Sequence, residues 1–391
     1  MEFKRSYSEN RAKLIPGASV VTGILFIGVL SAGLGLSLFN PALGLLVKDG
    51  GVGAWKYQSD EAGFKEKMSG VLKGEWSEEL QHRYEEGLLI GDFSVHLWTA
   101  LRYLAFLEGR SGVLVGEENW LFTTEEFIHV ENEEKSLNMS LEYILNVRDA
   151  LRGRDIELIV ALIPSKARVY SEKLGRYTFP TYAEKRYHWF LEKLHEYGVW
   201  APDLYKELVS AKKENQVFLR TDTHWNPFGA EKTAESIAGI GAALLTQKGA
   251  DRADFYSEVT GFREYRGDLL SFIPLGTLED IIGPKPDRIT VVRTNLLEDS
   301  ADGSRLFGEV SIPVTLIGTS FSKGENWNFD GFLKEHLAAD VLQMAREGKG
   351  PYEPMNEYLR SDTFINIKPS LIIWEIPERY LIKPPIVEEE L

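Results

Sequence analysis

Ile156-Glu157-Leu158-Ile159-Val160-Ala161-Leu162-Ile163 is apolar at every position but Glu157. A strand with one wet face alternates apolar and polar residues, whereas an unbroken apolar run marks a strand covered on both faces, as in parallel sheets flanked by helices. Two further runs of this kind lie downstream: 314–317, which ends at Gly318, and 371–374. Around them the apolar spacing becomes helical. It predicts helices over 140–154, with Leu141, Ile144, Leu145 and Leu151 on one side, and over 182–197, 226–245 and 332–347; 199–203 reads as short and partly extended. Helices alternating with buried strands give a mainly parallel sheet in a three-layer α/β/α arrangement, whose sites form beyond the carboxyl ends of the strands. Upstream, 92–109 has helical spacing (Val95, Trp98, Leu101, Leu104, Leu107), and 113–122 reads as a β-hairpin around Gly116-Glu117-Glu118-Asn119. Residues 246–310 carry no clear period, and Tyr265-Arg266-Gly267-Asp268-Leu269 within them reads as a loop.

The chain of 391 residues is long enough for a substantial core and has no cysteine, which excludes disulfides, thiolate metal sites and Cys nucleophiles. Its net charge of −15 argues against a nucleic-acid partner. The N-terminus departs from the globular pattern. Lys4, Arg5, Arg11 and Lys13 precede a stretch from 15 to 39 without a charged residue, about as long as a bilayer-spanning helix requires. Basic residues ahead of it place the N-terminus in the cytoplasm and the rest outside. The chain then divides into a cytoplasmic basic segment (1–14), a signal anchor (15–46), a helical lead-in (47–110) with Ser77 as a helix cap, and an α/β domain (111–391). A cleaved signal peptide is the alternative to the anchor. The exported part is about two charges more negative than the whole chain.

Two segments carry residues suited to chemistry. Asp222 and His224, in Thr221-Asp222-Thr223-His224-Trp225, are spaced so that a turn can bring the carboxylate under the imidazole. Ser320, in Gly318-Thr319-Ser320-Phe321-Ser322, follows a buried strand. Together they supply nucleophile, base and orienting acid, for which geometry matters and chain order does not. The second segment is not G-x-S-x-G, which disfavours an α/β-hydrolase elbow. Other readings fit these residues as well: Ser320 as a helix cap, Asp222 as the cap of the helix near Pro227, or D-x-H as metal ligands, although seven histidines and no cysteine leave a third ligand without an obvious source. A catalytic reading requires the Ser320 hydroxyl within about 2.6–3.2 Å of a His224 nitrogen.

Arg220-Thr221-Asp222-Thr223-His224-Trp225-Asn226 and Gly318-Thr319-Ser320-Phe321-Ser322 resemble the SGNH-hydrolase-like proteins of bacterial exopolysaccharide O-acetylation, the AlgJ/AlgX group. So do Val115-Gly116-Glu117-Glu118-Asn119-Trp120-Leu121-Phe122, Ile163-Pro164-Ser165-Lys166-Ala167-Arg168-Val169-Tyr170 and Ile373-Trp374-Glu375-Ile376-Pro377-Glu378-Arg379-Tyr380. Five motifs in the same order cover about residues 75–383, and the N-terminal anchor is closer to the membrane-bound AlgJ type. The resemblance implies an SGNH-hydrolase-like fold and periplasmic acetyl transfer to an exopolysaccharide, alginate-like or cellulose-like. Ser320, His224 and Asp222 are then the triad, and neither cofactor nor metal is implied. The acetyl donor would be a multipass membrane acyltransferase, and the acceptor the polymer or a periplasmic relay protein. Lys166, Arg168, Trp225 and Asn326 are candidate substrate-binding residues, Asn326 with Asn328 as possible oxyanion donors, and Glu375 with Arg379 a candidate structural ion pair. An acetylesterase and a non-catalytic scaffold of an exopolysaccharide complex are the alternatives.

Overall fold

The computed structural model describes residues 91–297 and 312–385, with Gly28 and Ser31 alone from the N-terminal stretch. The predicted basic segment, the Ser77 cap and, but for those two residues, the anchor therefore lie outside the described residues. Among the described residues no helix is long and apolar enough to cross a membrane. The chain divides into two compact units, one built on Gly109–Phe272 and Pro284–Leu391, the other on Glu2–Glu108 and Ile273–Gly283.

In the smaller unit, α1 (Gly91–Phe106) buries Thr99, Ala100 and Tyr103, while Val95 and Leu104 of the expected apolar stripe are exposed. Its helical path ends where Leu107 turns to φ 50°. Gly276, itself at φ +56°, lies so close to the helix that a Cβ there would sit 2.3 Å from the His96 ring.

The larger unit opens with the expected hairpin, β1 (Val113–Val115) against β2 (Leu121–Thr123), with Leu114 opposite Phe122. Then come α2 (Glu133–Arg152), β3 (Glu157–Ile163), α3 (Arg186–Glu196), α4 (Leu204–Ala211), α5 (Pro227–Gln247), β4 (Phe255–Tyr265), β5 (Asp287–Leu296), β6 (Val314–Ile317), α6 (Phe329–Leu337), β7 (Val341–Gln343), α7 (Tyr352–Leu359) and β8 (Leu371–Pro377). Strands β3, β8, β6 and β7, in that order, form one sheet with every pair parallel. On one face Leu158, Val160 and Leu162 of β3 and Ile372, Trp374 and Ile376 of β8 share a core with α2, α3 and α7. The other face carries α4, α5 and α6. There Gly241 of α5 lets the helix lie close to the sheet, since a Cβ would meet Leu337 at 2.7 Å and Leu371 at 3.3 Å. The result is the three-layer α/β/α fold, with β6 and β8, whose carboxyl ends bear the candidate residues, in the middle of the sheet.

Several elements differ from the sequence reading, each for a local reason. Helix α2 begins at Glu133, not Ser140. Ser140 lies inside it and donates its hydroxyl to the Leu381 carbonyl at 2.8 Å, tying the C-terminal segment to the helix. The predicted helix 332–347 stops at Leu337, where Ala338 takes φ 48°; Val341–Gln343 then adds to the sheet beside β6. Helix 182–197 is two pieces that meet at Lys185. The unreadable region holds the long antiparallel pair β4–β5. Val259 and Phe262 are exposed on it, and the register shifts between Val259 and Gly261, so neither burial alternation nor a constant period betrays it.

Trp374 is the largest side chain on the central strand. It is fully buried, edge-on to Tyr143 and Tyr352, with its indole N–H on the Pro351 carbonyl at 2.9 Å. Trp374→Ala is expected to cost about 3–5 kcal/mol of unfolding free energy, measured by urea denaturation.

Candidate active site

Three residues beyond β6, Ser320 opens a single helical turn, Ser320–Lys323, whose cap is Thr319: its Oγ1 accepts the Phe321 N–H at 3.3 Å. Ser320 is thus not the cap. The turn is held by Glu375 of β8, a fully buried carboxylate that accepts the Thr319 N–H at 2.6 Å, the Thr319 hydroxyl at 3.0 Å and the Ser322 hydroxyl at 3.1 Å. Burial pushes the Glu375 carboxyl up, and these donors and the charge of Arg379 oppose the shift. Gly318 permits the approach, because a Cβ there would lie 2.4 Å from Glu375 Oε2.

Asp222 and His224 sit at the tip of a closed loop. Its stem pairs Phe218 with Trp225, with the Leu219 N–H on the His224 carbonyl at 3.0 Å and the Asn226 N–H on the Val217 carbonyl at 3.1 Å. Helix α5 is capped by Asn226, whose Oδ1 accepts the Gly229 N–H at 2.9 Å, so Asp222 is not needed for that task. Asp222 Oδ1 instead meets the His224 backbone N–H at 2.8 Å and the ring Nδ1 at 2.7 Å. The other ring nitrogen, Nε2, lies 2.7 Å from Ser320 Oγ, inside the range the catalytic reading requires. Asp222 is fully buried, while His224 and Ser320 are half-buried and reach the surface.

The loop is fixed from three directions. Lys166 Nζ donates to the carbonyls of Leu121 at 2.6 Å, Arg220 at 3.0 Å and Asp222 at 2.8 Å. Asp287, at the start of β5, accepts the N–H groups of Arg220 at 2.9 Å and Thr221 at 2.8 Å, and the Thr221 hydroxyl. Asp268 accepts the Thr223 N–H at 2.9 Å and its hydroxyl at 2.7 Å, and returns its own N–H to Asp222 Oδ2 at 2.8 Å. Gly267 presses on the loop backbone: a Cβ would lie 2.1 Å from the Thr221 carbonyl oxygen.

Burial alone would raise the Asp222 carboxyl. The hydrogen bond and charge of His224, with the N–H groups of Asp268 and His224, outweigh it and bring the carboxyl down to about 2. Burial brings the Lys166 ammonium down to about 8, against the opposing charges of Asp287, Glu126, Asp222 and Asp268. Asp268 is raised by desolvation and then by the charge of Asp222; its residue is exposed, but its carboxylate is turned onto Thr223.

The remaining expected site residues have other places. Lys166 is buried with its three protons on backbone carbonyls, and so is not a substrate contact. Arg168 is buried in a bidentate pair with Glu378, 2.9 Å at Nε, and also donates to the carbonyls of Glu184 and Ala183. Trp225 is fully buried between the rings of Phe321 and Phe329, in the core and not on a sugar site. Asn326 lies beside the site, its Oδ1 accepting from Arg263. Asn328 donates to Thr294 Oγ1 at 2.9 Å. Glu375 serves the nucleophile turn, and the ion pair of that motif is Glu378 with Arg168; Arg379 contacts Glu125 at 3.4 Å. A third potential ligand does approach Asp222 and His224, namely Asp268. Both His224 nitrogens and the facing carboxylate oxygens are already engaged by Asp222, Ser320, Thr223 and backbone N–H groups, which suits a hydrogen-bonded relay better than a metal centre. Sequence reasoning missed Asp268, Asp287, Tyr265 and Trp327. The first three come from the region without a period, where spacing gives no signal.

The SGNH hydrolase-like domain, acetyltransferase AlgX family matches residues 113–378. The chain belongs to this family. The probable alginate O-acetylase AlgJ of Pseudomonas syringae pv. tomato is 38% identical over 331 residues, 84% of either chain. The solved O-acetyltransferase domain of Pseudomonas putida AlgJ is 37% identical with a TM-score of 0.63, covering 71% of this chain and 95% of that one. Pseudomonas aeruginosa AlgX, 23% identical with a TM-score of 0.52 over 71% of this chain and 68% of that one, shares the fold. Membership of this acetyltransferase family makes the chain an O-acyltransferase, and Asp222, His224 and Ser320 are in contact at the carboxyl end of its sheet.

Lys166→Met leaves three backbone carbonyls without their donor and is expected to cost about 3 kcal/mol or more in urea denaturation, with a parallel loss of activity. The Asp222 carboxyl is lower in the folded than in the unfolded chain, so its contribution is present above about pH 4 and is lost as pH falls toward 2, about 2 kcal/mol in all. Asp222→Asn is expected to flatten the stability curve between pH 5 and 2.

Proposed function

We propose that this chain transfers an acetyl group to a hydroxyl of an alginate-like exopolysaccharide through an acetyl-Ser320 intermediate. The observation that carries the proposal is the unbroken contact Asp222 Oδ1–His224 Nδ1–His224 Nε2–Ser320 Oγ, 2.7 Å at both ends. Relatives named as alginate O-acetylases support the polymer. As Ser320 Oγ attacks the acetyl carbonyl carbon, His224 Nε2 takes its proton. Asp222 stabilises the imidazolium and fixes its orientation. Collapse of the tetrahedral intermediate expels the donor's leaving group, which takes the proton from Nε2. The acceptor hydroxyl then attacks the acetyl-serine, giving its proton to Nε2, and Ser320 Oγ recovers a proton as it leaves. The Ser320 N–H has no partner among the described residues, whereas the Phe321 N–H is held by Thr319, so the former is the candidate oxyanion donor.

The uncharged N-terminal stretch supports an inner-membrane anchor with the catalytic unit in the periplasm. There a multipass membrane acyltransferase can deliver acetyl groups, and tethering raises the effective concentration of the two partners. With a net charge of −15, the acceptor is either gripped locally by cationic side chains or reached through a periplasmic relay protein. Ser320→Ala is expected to lower cleavage of a chromogenic acetyl ester by at least about a thousandfold and to abolish polymer acetylation in cells; Asp222→Asn is expected to lower kcat by up to about 10⁴-fold. Polymer acetylation that persists in the serine variant would rule the intermediate out.

A further inference from the structure

We propose that Trp327 is a positioning residue for this reaction, holding the base and the nucleophile in register and favouring the imidazolium through its ring face. The inference rests on the acetyl-serine reading above. Trp327 is buried, yet it touches both reacting groups' supports. Its ring stacks on His224, with centroids 5.5 Å apart and an interplanar angle of 23°. Its indole N–H points to the Ser320 carbonyl at 3.3 Å.

Its own position is fixed. Gly324 clears space for it, since a Cβ there would lie 2.3 Å from Trp327 Nε1. Tyr265 stands edge-on to the indole at 5.5 Å and 76°. On the His224 ring, Phe321 adds a second aromatic contact at 4.7 Å. The Tyr265 hydroxyl lies between Asp222 and Asn326, held above its ordinary range by burial and by the charge of Asp222.

A cation within about 6 Å of an indole face is attracted by the ring quadrupole, by about 0.5–2 kcal/mol. Imidazolium forms at His224 only while the Ser320 or acceptor proton is in transit, so the attraction favours the transition state over the ground state. The ionisable groups facing the pair are Asp222 on the same loop, Tyr265 at the end of β4, Asp268 just beyond it, and Arg379, whose guanidinium lies 5.6 Å from the Phe321 ring. Of these, Tyr265 also packs edge-on against the indole.

The test compares Trp327→Phe and Trp327→Leu with the parent in hydrolysis of a chromogenic acetyl ester across pH, together with NMR titration of the His224 ring, identified by its absence in His224→Gln. The leucine variant is expected to lose about tenfold in kcat with KM within about twofold, and the phenylalanine variant less. Without the indole face the imidazolium is less stable, so the acid limb and the His224 titration are expected to move to lower pH, by up to about one unit. A fall in kcat with the acid limb and ring titration unmoved would reduce Trp327 to packing and overturn the proposal, as would an unchanged kcat. If Trp327→Leu does not fold, the phenylalanine variant and its titration decide. Failure of the acetyl-serine reading itself is seen separately, as ester cleavage retained by Ser320→Ala.

Discussion

The buried ammonium of Lys166 is the constraint on which the acid–base loop depends. An uncompensated charge inside a protein is costly, and a lysine remains protonated there only where its donors are used. Here all three protons go to main-chain oxygens, from β2, from the start of the loop and from Asp222 itself. The cation therefore does not pair with one carboxylate. It converts its charge into the geometry of a backbone segment, and four carboxylates at longer range keep it charged.

Carboxylates do the complementary work on N–H groups. Asp287 and Asp268 hold the outer side of the same loop, and Glu375 holds the nucleophile turn. Glu126 accepts the N–H groups of Lys166 and Ala167, at 3.0 and 2.8 Å, and Glu378 accepts that of Ser165 at 2.9 Å. Chain turns that leave parallel strands have unpaired N–H groups, and burying them requires acceptors. In this fold those acceptors are acidic side chains on neighbouring strands and loops, so the sheet's carboxyl edge is a lattice of charge-assisted hydrogen bonds. Within it Asp222 stays buried, while His224 and Ser320 reach the surface.

Much of this was legible in the sequence. Buried parallel strands announce themselves by nearly continuous apolar runs, so β3, β6 and β8 were readable, and with them the fold and the place of Ser320. Asp222 and His224 were readable because two residues apart is close enough for a turn to join them. The roles of Lys166 and Arg168 were not, since a cation after a strand end looks the same whether it meets a substrate or a carbonyl. Trp225 likewise gives no sign in sequence of which way its ring faces. The β4–β5 pair was invisible because both strands are largely exposed and one carries a bulge. Thus Asp268, Asp287 and Tyr265, placed by that pair, could not be connected to a loop more than forty residues earlier.

That pair of strands is anchored at both ends and exposed between them. At one end Asp287 and Asp268 grip the acid–base loop; at the other, Thr294 accepts from Asn328 and Phe255 lies under the Lys334 ammonium, both on α6 or its cap. In the middle, Val259 and Phe262 are exposed, with Phe262 under the Arg288 guanidinium of the same ribbon. A substitution at an exposed mid-span position therefore leaves the Asp222–His224 loop in place, while a shift of a single residue at the Tyr265 end would put the wrong side chains on the loop. The ribbon thus separates residues that fix the Asp222–His224 loop from residues that face outward.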